Sequence, residues 1–190
     1  MQSDLQMQDF VIDLLKSKLP DYYYYHDYEH TLYVLTKSIE IATAEKCTEY
    51  EIRLIKTAAL WHDTGFLNKY VGHEEESCLF VKNNLIEFGF DLVEIDLICR
   101  MIMATKIPQM PTTKLEMIVA DADLAYLGTV NPETVAYKLY KELKYLHPDL
   151  TENGWNNIQI SFMQNHHYFT KYCTENKEPL KQEYFQRLIK

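Results

Sequence analysis

Four short stretches of this sequence hold residue types that could do chemistry. His26 and His30 lie in Tyr25-His26-Asp27-Tyr28-Glu29-His30. His62 and Asp63 stand side by side in Leu60-Trp61-His62-Asp63-Thr64-Gly65. His73 and Glu74 follow in Gly72-His73-Glu74-Glu75-Glu76-Ser77. Asp121 and Asp123 sit in Val119-Ala120-Asp121-Ala122-Asp123-Leu124. Imidazoles mixed with carboxylates suit Zn, Mn, Fe or Ni, whereas Ca prefers all-oxygen sites. The aspartates are the most telling. An acid on an apolar helix face must be paired or must bind a metal, because a lone buried carboxylate is costly. No arginine lies near Asp121 or Asp123 in sequence. Taken singly, each of these residues has a plainer reading as a cap or a satisfied polar contact. Their joint occurrence is what carries information.

The elements that must position them read as helices. Phe10, Val11, Leu14 and Leu15 recur at helical spacing over residues 3–19, and Pro20 stops that segment. A loop with four consecutive tyrosines, Tyr22 to Tyr25, follows, and packing is the simplest role for it. The next helix spans about 28–46, with Leu32, Leu35, Ile39 and Ala42 on one face. Thr48-x-x-Glu51 is a capping box that starts a third helix. In it Ile52, Ile55, Ala59 and His62 share the inward stripe. Asp63, about 100° further round, turns to a different neighbour. Gly65 permits the exit turn. Further helices are expected over 73–88, from the Asp91-x-x-Glu94 box to about 104, and from the Thr113-x-x-Glu116 box to Gly128. One more starts at Asn131-Pro132 and runs to about 146. A long helix is expected over 154–173, with a short one from Pro179 to the end. No strand pattern, repeat or low-complexity linker stands out. The expectation is an all-α helical bundle of eight to nine helices in one domain over 1–190. Its core motifs span 22–128, and helices of 131–190 pack on them.

Composition sets the outer bounds. Of the 190 residues, 47% are hydrophobic and only five are Gly, which favours helices over a turn-rich β protein. The net charge of −9 argues against nucleic acid or an anionic membrane as partner. The four cysteines form no C-x-x-C, so reduced thiols are expected rather than a disulfide framework. Residues 1–18 are amphipathic and carry acids, unlike a signal peptide. No apolar run approaches the roughly 20 residues that span a bilayer. These features point to the cytoplasm.

A His on one helix, an adjacent His-Asp on the next and a distal Asp on a later one resembles the HD superfamily of metal-dependent phosphohydrolases. The matching positions are His30 in Glu-His-Thr-Leu, His62-Asp63 after Leu60-Trp61, and Asp121 in Asp-Ala-Asp-Leu-Ala-Tyr-Leu-Gly. His73-Glu74-x-x-Ser77 and Ile102-x-Ala104-Thr105-Lys106 are similar to elements of the family's small bacterial single-domain members. Together these cover about 22–128. Trp155 and His166-His167-Tyr168-Phe169-Thr170 resemble the same subgroup's tail more loosely.

The resemblance implies a metal-activated attack of water on a phosphate ester. His30, His62, Asp63 and Asp121 would hold one divalent ion (Mn, Fe, Ni, Co, Zn or Mg). Asp121 and Asp123 both could be the distal ligand, and residues two apart on a helix do not share a face. Alignment of the downstream Ala-Tyr-Leu-Gly favours Asp121 and leaves Asp123 as a neighbour of the site or a substrate contact. His73 and Glu74 are candidates for acid-base work, and Lys106 and Lys69 for offsetting phosphate charge. His26 and His166 are further candidate contacts. Only His73 lies between Asp63 and Asp121, so a single-metal site is expected rather than a dinuclear one. A di-iron oxygenase of this architecture would need more histidines there. The substrate would be a small phosphate ester, a nucleotide among the candidates, and the protein a monomer or homodimer. The alternative is a non-catalytic metal- or nucleotide-binding regulatory module.

Overall fold

The computed structural model describes residues 2–190, and Met1 lies outside them. The described residues form ten α-helices and no strand: α1 Gln2–Lys18, α2 Tyr28–Ala44, α3 Glu49–Trp61, α4 His73–Asn84, α5 Leu92–Met103, α6 Lys114–Asp123, α7 Pro132–Leu146, α8 Glu152–Asn165, α9 Lys171–Asn176 and α10 Glu178–Leu188. Short 3-10 turns follow α3 (Thr64–Leu67) and α6 (Ala125–Gly128). The all-α expectation holds, with more helices than the eight or nine expected.

The three capping boxes form as read. Thr48, Asp91 and Thr113 each accept from the backbone three residues on, and Glu51, Glu94 and Glu116 reach back. They fix where α3, α5 and α6 begin, and so which residues fall at the opposite ends of α3 and α6. The expected long helix over 154–173 is broken instead. Residues 166–170 leave the helix between α8 and α9, and Thr170 caps the start of α9. The reason is visible at Asp121, which takes its hydrogen bonds from that non-helical stretch.

Two apolar clusters hold the chain together. The larger one joins α1 to α6 through buried side chains such as Val11, Val34, Ile55, Trp61, Val81, Ile98 and Ile118. The smaller one gathers Tyr25, Leu127, Ala136, Trp155, Met163 and Tyr184, from the loop before α2, the turn after α6, and α7, α8 and α10. Tyr33 on α2 packs against both. The tyrosine run is mostly packing. Tyr22 stacks on Tyr145 at 4.3 Å between ring centroids, and Tyr23 lies edge-on to Phe66. No described helix is long and apolar enough to cross a membrane.

Candidate metal centre

Asp27 caps α2 by accepting from the His30 N–H at 2.9 Å, which fixes His30 in the first turn. His62 ends α3, and its Nδ1–H donates to the Ala59 carbonyl at 2.8 Å. That leaves Nε2 facing inward, the orientation of a metal-ligating histidine. Asp63 is the next residue and opens the 3-10 turn. Asp123 is the last residue of α6.

These four side chains converge although they come from three separate helix ends. His30 Nε2 lies 3.1 Å from Asp123 Oδ1 and 3.5 Å from Asp63 Oδ2. His62 Nε2 lies 3.2 Å from Asp63 Oδ2 and 3.6 Å from Asp123 Oδ1. Ligand atoms of His30, His62 and Asp123 lie within 4.8 Å of one another, close enough to hold one ion. His73 stands at the edge, its Nε2 3.6 Å from Asp63 Oδ1.

Asp121 is not among them, and this corrects the expectation that it is the distal ligand. Its carboxylate accepts from Phe169 N at 2.9 Å, Thr170 N at 2.8 Å and Thr170 Oγ1 at 2.6 Å. Two residues of helix turn a side chain by about 200°. Asp123 therefore faces the histidines while Asp121 faces the segment between α8 and α9.

The electrostatics of the cluster favour a cation. Burial alone would raise Asp63 and Asp123, but the histidines, His62 beside Asp63 and His30 beside Asp123, hold both far below the usual carboxylate range. Burial opposes charge on His62, yet Asp63 and Asp123 outweigh it and lift this imidazole well above its ordinary value. Two carboxylates, Asp63 buried and Asp123 partly buried, thus draw positive charge onto a histidine whose other nitrogen is already committed.

The sequence matches the HD domain family over residues 27–125, more than half of the chain. The chain belongs to the HD domain family. No curated protein is significantly similar to it. Among solved structures, the HD domain resembles a predicted HD superfamily hydrolase from an uncultured Thermotogales bacterium at 22% identity and TM-score 0.60, over 95% of this chain and 90% of that one. It also resembles the Lin1889 protein of Listeria innocua at 20% identity and TM-score 0.61, over 96% of each chain. At these identities the likeness concerns the fold.

The donor set of this HD domain fits a divalent ion of the Zn, Mn, Fe or Ni kind, two nitrogens and two carboxylates. Two buried atoms mark the gap such an ion would fill. His62 Nε2 and Asp63 Oδ2 face each other at 3.2 Å, yet no hydrogen bond satisfies either buried atom, and buried polar atoms are seldom left so.

The remaining predicted residues divide. His73 stacks on Phe66 at 3.8 Å and its Nδ1–H donates to the Tyr70 carbonyl. Glu74 is buried, with Oε2 3.6 Å from His73 Nδ1. Lys106 and Lys69 are engaged elsewhere. Lys106 pairs with Glu75, and Lys69 with Glu76 at 3.3 Å. Both are about half exposed and held by glutamates of α4. His166 accepts from the fully buried Lys181, Nδ1 to Nζ 3.1 Å. Burial and the Lys181 charge push His166 down to about 3. It is thus a neutral ring outside the ligand set.

Position is enforced by one close approach. A Cβ at Gly65 would stand 1.9 Å from the His73 carbonyl oxygen. Only glycine lets the start of α4 pack there. Ser77 completes the clamp, donating to His62 O at 2.5 Å and accepting from Gly65 N at 2.8 Å.

Glu142 escaped the sequence reading. Fully buried on α7, it accepts from Tyr25 N at 2.9 Å and His26 N at 3.1 Å, and meets His26 Nδ1 at 2.5 Å. Burial would lower His26, but Glu142 outweighs it and raises the imidazole above its ordinary value. The same contacts overcome burial to hold Glu142 low. A signal was present: Val135, Leu139 and Glu142 recur at helical spacing, which puts an acid on an apolar face.

Proposed function

We propose that this HD domain is a metal-dependent phosphohydrolase acting on a small phosphate ester, a nucleotide among the candidates. The observation that carries the reading is the convergence of His30, His62 and Asp123, whose ligand atoms lie within 4.8 Å of one another, with Asp63 Oδ2 3.2 Å from His62 Nε2 and no hydrogen bond satisfying either of those two buried atoms. A divalent cation held there would offset charge on the phosphoryl group and lower the pKa of a water.

The protein's own groups account for the protons. Water attacks phosphorus, a new P–O bond forms, and the P–O bond to the alcohol breaks. The leaving oxygen then needs a proton. His26 is suited to give it. Glu142 fixes its Nδ1–H and favours the protonated ring, as a carboxylate does for a catalytic imidazole. The ring centroid of His26 lies 5.9 Å from that of His30 and 6.2 Å from that of His73. His73, whose Nε2 lies 3.6 Å from Asp63 Oδ1 at the edge of the cluster, is placed to take the proton lost by the water. With Lys69 and Lys106 engaged by glutamates, substrate charge is met by the cation and His26. Esters of low charge are favoured over triphosphates.

The test is phosphate release across nucleoside phosphates, cyclic nucleotides and phosphomonoesters with Mn, Co, Ni, Mg and Zn in turn. Turnover is expected with at least one metal, and is lost with a chelator or in the His62→Ala, Asp63→Ala double variant. Full metal occupancy with no turnover on any member of the panel would favour a regulatory module instead.

A further inference from the structure

A cavity of about 230 Å³ opens beside the metal cluster and is lined by both His26 and Asp123. Most of its other walls come from the smaller apolar cluster, with Leu143, Trp155, Phe162 and Met163 among them, and Ile107 and Ile158 complete it. No Lys or Arg lines it. His26 and Asp123 are engaged by Glu142 and by the histidine cluster, so a second anionic group finds no free counter-ion there, and burying one would be costly. The volume suits one or two flat rings.

One polar group inside has a fixed orientation. The Gln159 carbonyl Oε1 accepts from Tyr184 Oη at 2.6 Å, and both residues line the cavity. Tyr184 is buried, which raises it to about 12, so it keeps its proton and remains the donor. The Gln159 amide nitrogen is then committed to donating. One of its hydrogens goes to Asn156 Oδ1 at 3.3 Å, and an amide carries two. The cavity thus offers an N–H donor amid aromatic and aliphatic walls.

We propose that this cavity is the leaving-group subsite, and that it takes a flat, uncharged ring system whose hydrogen-bond acceptor meets the Gln159 amide. The assignment rests on the phosphohydrolase reading, because His26 and Asp123 then bring the scissile oxygen between cavity and metal. Heteroaromatic alcohols satisfy it, including those that carry a nucleobase. Open-chain polyols and sugars without a ring base do not, since their hydroxyls would be buried unpaired.

Two alcohols of one shape test it, 6-hydroxyquinoline and 2-naphthol, which differ by a ring-nitrogen acceptor. Calorimetry on the full-length protein is expected to show both binding, with 6-hydroxyquinoline about fivefold tighter, the worth of one neutral hydrogen bond. In Gln159→Leu that preference is expected to vanish while 2-naphthol still binds. In Tyr184→Phe the amide is free to turn, and the preference narrows. Leu143→Trp fills the cavity and removes binding of both, with folding checked by circular dichroism. Absence of binding to the wild type overturns the proposal. So does a preference unchanged in both Gln159→Leu and Tyr184→Phe, or binding unaffected by Leu143→Trp. Binding without phosphate release from the two aryl phosphates leaves the cavity assignment standing and counts against the phosphohydrolase reading. Release from glycerol phosphate as fast as from the aryl esters does the reverse.

Discussion

Asp121 and Asp123 stand two residues apart on α6, and their carboxylates face different parts of the molecule. Asp123 Oδ1 lies 3.1 Å from His30 Nε2, whereas Asp121 takes three hydrogen bonds from Phe169 and Thr170. One closes the histidine cluster, and the other ties the chain after α8 to α6. Asp121→Ala should therefore act on stability. It strands two backbone N–H groups and a hydroxyl, at a cost of about 3 kcal/mol. For a domain of this size that is a fall in Tm of about 6–12 °C, measurable by thermal melting. A melting curve within a degree of wild type would mean that the tie does not form.

Much of this was readable in the sequence. The capping boxes at Thr48, Asp91 and Thr113 are local signals, and each set a helix start correctly. His30, His62 and Asp63 could be picked out because they interrupt apolar periodicity at helix ends. The choice between Asp121 and Asp123 could not be made that way. It depends on whether the stretch 166–170 is helical, and its non-helical form is stabilised by Asp121 itself, about 45 residues earlier. Glu142 was missed because its partners, Tyr25 and His26, are more than 110 residues away. The pairing of Lys106 with Glu75 and of Lys69 with Glu76 was not legible either, because the partners lie on other segments brought together by the fold.

Gly65→Ala should disrupt the site from outside the ligand set. The added methyl would collide with the His73 backbone, so α4 must shift. Overpacking of this kind costs about 1–3 kcal/mol. The expected outcome is a lower Tm together with weakened metal retention, because His73 and the Ser77 clamp move with α4. An unchanged Tm and unchanged metal content would show that α4 can yield at no cost.

Glu142→Gln tests the support of His26. His26 has its pKa raised in the folded state, so its contribution is complete below the unfolded value of 6.5 and is lost as pH rises through the folded one. Glu142 has its pKa lowered, so its contribution is present above the unfolded value of 4.5 and is lost as pH falls through the folded one. The stability gap between wild type and Glu142→Gln should be widest between pH 4.5 and 6.5 and shrink on both sides. In turnover, kcat should fall about 10²-fold or more with KM little changed. Poor leaving groups should suffer more than p-nitrophenyl esters. A flat stability gap across pH together with an unchanged kcat would remove the pair from the account.

Lys106→Ala and Lys69→Ala should be nearly silent. Both side chains are about half exposed and pair with glutamates at the surface, and such pairs contribute about 0–1 kcal/mol. Phosphate release within twofold of wild type is expected for each. A loss of tenfold or more in either would show that the lysine leaves its glutamate and meets substrate.

The central claim is a cation held by His30, His62, Asp63 and Asp123. Metal analysis of the purified protein and its Asp123→Asn and Asp121→Asn variants tests it most directly. The account predicts one divalent ion per chain in the wild type, loss of that ion in Asp123→Asn with helicity kept, and its retention in folded Asp121→Asn. Full occupancy in Asp123→Asn, or loss confined to Asp121→Asn, would contradict it.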